Sequence, residues 1–478
     1  MSSRSSIFTN LVWRFMERCG AQLVTLIVSI ILARLLDPEV YGMVALVTVI
    51  TTILQVFVDG GFATALIQKK DADDIDFSTV FYFNVFSCLV MYCVIYCLAP
   101  SISNFFGMND LTPIIRVISL IIIVSGIKNV QQAYVSRNMM FKRFFFSTIG
   151  GTVGAACIGI ALAYLGFGVW ALVFQMLFNT IVDTCILWVT VKWRPKLVFS
   201  VNRLKQLFSF GGKMLVANLI ATLNGQLRQI VIGKFYSSSD LAFYNRGRQF
   251  PDIIVTNINT SIDSVLFPAL SNVQENYIKV KEMVRTSIKV STYMMAPFMA
   301  GLFVCADSIV RILLTEKWLP CVPFLRIFAI SFFFYPIHTA NLNAIKATGR
   351  SSILLKLEII KDIVCILILL FTMKYGTLAI AYGMLANSII SQIINSWPNR
   401  KLIDYKYKDQ IIDIIPNIFL SILMSLIVYT IKFMHMNTIL TLLVQVTVGA
   451  ITYIALSYIF RNDSFIYLLS ILKQIKKK

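Results

Sequence analysis

Apolar runs of about 20 residues recur from one end of this chain to the other, and few folds tolerate that pattern. Wound as an α-helix, such a run matches the thickness of a bilayer's hydrocarbon core. Composition agrees: 58% of the 478 residues are hydrophobic and 14% are charged, where soluble proteins carry about 25%. Mean hydropathy is +0.77. A β-barrel is a poor fit, because its segments are about 10 residues long and alternate in polarity. The expected fold class is an all-α polytopic membrane protein.

Fourteen transmembrane helices are expected near 9–35, 42–67, 77–99, 111–135, 144–165, 168–190, 207–235, 248–270, 286–306, 321–343, 353–373, 377–396, 411–432 and 438–459. Breakers mark the joints: Asp37-Pro38 after the first helix, Gly166-Phe167-Gly168 after the fifth, Tyr375-Gly376 after the eleventh.

The formal net charge is +20. In a soluble domain that excess would point to nucleic acid; here it is topogenic, and no nucleic-acid partner is expected. Lys and Arg collect in alternate loops, from Lys69 and Lys70 through Arg137, Lys142 and Arg143 to Arg400 and Lys401 and the tail "KQIKKK". The opposite loops are poor in them, and 101–110 has none. Both termini are therefore expected in the cytoplasm, and the tail is read as an anchor to anionic lipid. No cleavable signal peptide is expected at the start.

No loop exceeds about 25 residues, too few for a folded catalytic or nucleotide-binding domain. A phosphate-cradling Gly-rich loop ending in Lys-Ser/Thr is absent. No cofactor is expected, and with only His338 and His435 a histidine metal site has no support. The nine cysteines lie mostly inside apolar runs, where they act as small hydrophobes; Cys305 and Cys321 are placed to flank one outer loop.

Residues 1–200 and 201–400 echo each other weakly. The first helix leaves through Ala33-Arg34-Leu35-Leu36 to Tyr41-Gly42, and the seventh through Gly233-Lys234-Phe235-Tyr236 to Tyr244-Asn245. This divides the chain into an N-terminal lobe (1–200, helices 1–6), a C-terminal lobe (201–400, helices 7–12) and two further helices with the basic tail (401–478). Parallel repeats of that kind recur among transporters.

The pieces "ARLLDPEVYG" (33–42), "GFATALIQKK" (61–70), "FSFGGKMLVANL" (208–219), "IGKFYSSSDLAFYNRGRQFP" (232–251), "LFPALSN" (266–272), "TEKWLP" (315–320) and "NAIKATGR" (343–350) carry a family resemblance as a set. The chain resembles the polysaccharide-transporter family of flippases for O-antigen and exopolysaccharide precursors. That family belongs to the superfamily of multidrug, oligosaccharidyl-lipid and polysaccharide exporters. The resemblance implies two six-helix lobes around a cavity, alternating access in a bacterial inner membrane, and an undecaprenyl-diphosphate-linked oligosaccharide as cargo. It also implies a polysaccharide polymerase or glycosyltransferases as partners beside membrane lipid.

Charges within the spans are the candidate site. Such residues are costly in hydrocarbon and face a bundle interior or water. In "LVWRFMERCGAQLVTLIVSIILARLLDPEVYG" (11–42), Arg14 and Arg18 share a helical face, with Glu17 in pairing reach of Arg14. Two readings compete. The arginines snorkel to headgroups, or they line a cavity where guanidinium forks suit a diphosphate. The seventh helix carries Lys213, Asn224 and Arg228, candidates for diphosphate or sugar contacts. Glu17, Asp59 and Asp263 are candidates for ion coupling or charge pairing. Asp59 precedes Gly60-Gly61, so local capping at a helix break is an equal reading. Glu358, Lys361 and Asp362 have the spacing of an internal ion-pair network, and Gly150, Gly151 and Gly154 that of a small-residue helix contact.

No catalytic residue is expected: a membrane-embedded polymerase would need a positioned acid or base and usually a large outer loop. The alternative within the superfamily is an ion-coupled exporter of organic cations. Carboxylates and aromatics should dominate its site, whereas the first and seventh helices here supply cations.

Overall fold

The computed structural model describes residues 2–69, 71–434 and 436–476, and among them it contains no β-strand. They fall into two compact units, Met1–Ala242 and Phe243–Lys478. The first contains α1 (Ser2–Leu35), α2 (Pro38–Asp59), α3 (Phe62–Gln68), α4 (Asp74–Phe106), α5 (Leu111–Ile118), α6 (Leu120–Arg137), α7 (Phe141–Tyr164), α8 (Val169–Thr190) and α9 (Val201–Phe235). After α10 (Ser238–Ser271), whose first residues belong to the first unit, the second contains α11 (Tyr277–Leu313), α12 (Val322–Phe333), α13 (Tyr335–Ala347), α14 (Ser351–Thr372) and α15 (Thr377–Ser396). It ends with α16 (Asn399–Leu402), α17 (Tyr407–Thr430), α18 (Thr438–Ile459) and α19 (Asp463–Lys476). These units group helices by packing, whereas the expected halves rest on a sequence echo.

Among the described residues, 11 helical stretches are long and apolar enough to cross a membrane. All fall at expected positions, so the all-α multi-pass class holds. The expected count of fourteen is matched at these alone: α1, α9 and α14, at the first, seventh and eleventh positions, are not among the 11. Of α1 only Gly20–Leu35 counts, as a shorter apolar helix. In α14 the reason is charge, since Lys356, Glu358, Lys361 and Asp362 crowd its first half.

In the first unit, Val28 and Leu32 of α1, with Leu36 just after it, pack with Ala156 and Ala163 of α7 and Ala171 and Leu172 of α8. Small residues let α7 approach α8: a Cβ on Gly151 would lie 2.8 Å from Asn179 Oδ1, and one on Gly154 would lie 3.1 Å from Phe178. The closest approach joins α2 to the start of α10, where a Cβ on Gly42 would stand 1.8 Å from the Ser238 carbonyl oxygen. That contact explains the glycine ending "ARLLDPEVYG".

The segment after α8 crosses the start of α4 as a strap. The Lys196 and Ser200 amides donate to Ser78 Oγ (2.9 Å) and Thr79 Oγ1 (3.2 Å). Trp193 stacks on Tyr134 and donates to Asp74 at 3.3 Å. Asp73 caps α4 through a reciprocal capping box with Asp76. Arg203 at the start of α9 bonds both carboxylates, 3.1 Å to Asp76 and 3.2 Å to Asp73.

Two of the second unit's apolar cores illustrate its packing. Leu270, Val284, Ile288 and Ile337 anchor one, with Tyr405; Tyr293, Leu420, Met424 and Tyr453 anchor the other. Cys305 and Cys321 are both buried and free, so neither closes a disulfide across the expected outer loop.

Candidate functional site

Three of the eight candidate site residues lie outside the described side chains. Arg14 and Arg18 fall in α1 and Lys213 in α9, and only their helical backbone is described. The other five are placed. Glu17 is buried, 7% exposed, and accepts a hydrogen bond from Thr148 Oγ1 of α7 at 3.2 Å. This draws the carboxylate towards α7 and fixes the rotation of α1.

Asn224 and Arg228 lie half-buried one turn apart on α9, each engaged in polar contacts. Gln229 donates to Gln226 at 2.7 Å beside them. The helix thus presents a guanidinium among amide groups, able to donate to phosphate oxygens and to exchange hydrogen bonds with hydroxyls.

Asp59 is exposed at the end of α2 and accepts from Gln55 Nε2 at 3.1 Å. The chain breaks there, with Gly60 and Gly61 at φ +36° and +71°, a conformation glycine adopts without cost. Asn129 of α6 donates to the Val58 carbonyl at 2.6 Å, satisfying a group the break leaves without a helical donor. A Cβ on Gly61 would lie 2.7 Å from the Gly211 carbonyl of α9, so the break also seats α9. In the second unit Asp263 of α10 accepts from Asn343 Nδ2 of α13 at 2.7 Å. The expected pair on α14 forms, Lys361 to Glu358 at 2.7 Å.

Sequence reasoning missed Lys128 of α6, which shares the fourth apolar run with Arg116. Lys128 pairs with Asp183 of α8 at 2.9 Å, the two side chains 16% and 14% exposed. Its sign in the sequence is a single Lys in "SGIKNVQQ", and nothing local marks Asp183, a charge in its own apolar run 55 residues on, as its partner. A cavity of about 250 Å³ between α1, α7 and α8 was equally invisible; Ser29, Tyr41, Gln175 and Asn179 line it with hydroxyl and amide groups. Among the described residues no cluster of three or more His, Cys, Asp or Glu side chains could hold a metal ion.

Long apolar helices with charges and amides within them define a multi-pass membrane protein. Residues 31–323 match the polysaccharide biosynthesis protein family, and the chain belongs to it. It is 24% identical to the succinoglycan biosynthesis transport protein ExoT of Rhizobium meliloti, over 81% of this chain and 76% of that one. It is also 24% identical to the lipopolysaccharide biosynthesis protein WzxC of Escherichia coli, over 77% of this chain and 74% of that one. Among solved structures, the lipid II flippase MurJ in an inward closed conformation has a TM-score of 0.79 at 16% identity, covering 95% of this chain and 99% of that one. At that identity the likeness shows a shared fold.

Proposed function

We propose that this chain is a flippase that moves undecaprenyl-diphosphate-linked oligosaccharide units across the bacterial cytoplasmic membrane by alternating access, for cell-surface polysaccharide biosynthesis. The observation that carries this reading is the conjunction of family and fold: a polysaccharide biosynthesis family match on a chain folded like a lipid II flippase.

Both termini are cytoplasmic in this reading, as the Lys- and Arg-rich loops require. The six-helix lobes are 1–200 and 201–400, followed by 401–478. Arg14, Arg18, Lys213 and Arg228 engage the diphosphate, because guanidinium and ammonium groups offer charge-assisted hydrogen bonds to its oxygens. Asn224 contacts a sugar hydroxyl. Glu17, Asp59 and Asp263 are the carboxylates available to a coupling ion. The prenyl tail stays in lipid throughout, since moving it into water would forfeit about 0.8 kcal/mol per CH₂ group. A polysaccharide polymerase or glycosyltransferases act on the same lipid-linked units before or after transfer.

Deleting the gene in its host tests this reading. Lipid-linked oligosaccharide should accumulate, accessible from the cytoplasmic face only, and the wild-type gene should clear it. An unchanged glycolipid pool with new sensitivity to organic cations would favour the exporter instead.

A further inference from the structure

Beyond the family-matched residues 31–323, Asp413, Arg461 and Asp463 of the second unit's C-terminal segment gather at one place, beside Arg285 and Lys289 from within the match. A cavity of about 420 Å³ opens between α17 and the α18–α19 turn, with Arg285 and Lys289 of α11 on one wall. The two cations are one helical turn apart and share a single carboxylate. Arg285 forks onto Asp413 at 2.7 and 2.8 Å, and Lys289 reaches it at 3.4 Å. Lys289 also pairs with Asp463 at 3.2 Å, a side chain 81% exposed.

The third cation of the cavity is Arg461. It is exposed, and among the described residues no ion pair holds it. Three cations against two carboxylates leave its charge in surplus. Its backbone sits at φ +47°, a conformation uncommon for a residue with a side chain. The turn is held there firmly. Asn462 donates to Asn417 Oδ1 of α17 at 3.0 Å and accepts from the Ser464 and Phe465 amides at 3.0 and 3.2 Å. Arg461 is thus aimed by a rigid turn, with Phe460, Phe419 and Pro416 forming the apolar side of the same cavity.

The two helices joined by this turn set its depth. α18 is apolar up to Ile459, and α19 begins at Asp463 as an amphipathic helix. Phe465 and Leu468 pack inward on the core of Tyr293 and Tyr453, while Ile466, Tyr467 and Lys473 are exposed. A helix of that kind lies in the membrane–water interface, which puts the cavity at headgroup level with charge towards water and rings towards acyl chains. A soluble phosphate shares the charge but lacks the apolar half of this match, and a prenyl diphosphate has one isoprenoid chain in place of two acyl chains.

We infer that this cavity binds the phosphate of an anionic glycerophospholipid, such as phosphatidylglycerol, with Arg461 and Lys289 on the phosphate and the aromatic wall against the upper acyl chains. The bound lipid fastens α19 to α11 and α17. Lipid binding is read without transport, so it stands or falls separately from the flippase reading.

Native mass spectrometry of the full chain released from nanodiscs tests it, with phosphatidylglycerol in a phosphatidylcholine background. Retained phosphatidylglycerol should fall about fivefold in Arg461→Asn, the loss expected for one cation at a membrane surface. Asn tolerates the positive φ, so the turn survives. Arg461→Lys should keep most of the binding, and Asp463→Asn should strengthen it. Equal retention in wild type and Arg461→Asn would overturn the assignment. So would retention of undecaprenyl diphosphate to the exclusion of phosphatidylglycerol, or full occupancy of the site by inorganic phosphate in pure phosphatidylcholine.

Discussion

Single side chains divide into those that tie helices and those proposed to meet cargo. Arg203 belongs to the first kind, because it bonds Asp73 and Asp76 where α4 and α9 begin. The Asp76 amide holds the Asp73 carboxyl below its ordinary value of 3.8, and the Arg203 charge acts in the same direction. A carboxylate lowered in the folded state stabilises it above the unfolded pKa, and that contribution fades as pH falls through the folded one. Thermal unfolding followed against pH should show this tie unchanged between neutrality and about pH 5, then weakening below about pH 4. Asp73→Asn keeps a capping side chain but removes the charge. It should lower the midpoint at neutral pH by about one or two degrees, as an exposed pair does, and should flatten the acid side. Arg228 belongs to the second kind. In reconstituted vesicles Arg228→Ala should slow transfer about tenfold or more, with Arg228→Lys between it and wild type, since Lys keeps the charge and loses the fork.

Whole helices depend on contacts that allow no spare atoms. Gly42→Ala would drive a methyl group to 1.8 Å from the Ser238 carbonyl, so α2 or the start of α10 must move. Overpacking of this kind costs about 1–3 kcal/mol, measurable as an earlier loss of helical signal on heating in detergent. The Lys128–Asp183 pair joins α6 to α8. Lys128→Ala leaves a carboxylate unpaired at membrane depth, and breaking such a pair costs about 3–5 kcal/mol. The double variant Lys128→Ala/Asp183→Leu should recover most of that loss in the same melt. Helix positions were legible because a 20-residue apolar run has one common solution in a bilayer. The break at Gly60-Gly61 divides the second expected helix, 42–67, and was one of two equal readings of the aspartate before the glycines. Partners were not legible: Lys128 finds Asp183 55 residues away, and Arg285 finds Asp413 128 residues away. Such pairings depend on which helix faces meet, which spacing along one helix does not encode. Glu17 likewise bonds Thr148, 131 residues away on another helix, which its own helix does not encode.

For the molecule as a whole, the family match covers residues 31–323 and the flippase fold covers 95% of the chain. The family match and the transport-protein relative support the proposed movement of a lipid-linked glycan, and the fold is compatible with it. Transfer of a fluorescent undecaprenyl-diphosphate oligosaccharide across liposomes containing the purified protein tests that claim most directly. Wild type should expose the lipid to an impermeant quencher or glycosidase on the opposite leaflet far faster than empty liposomes. Arg228→Ala, folded by its melting curve, should approach the empty-liposome rate. A wild type no faster than empty liposomes, but able to dissipate a gradient of an organic cation, would contradict the flippase reading.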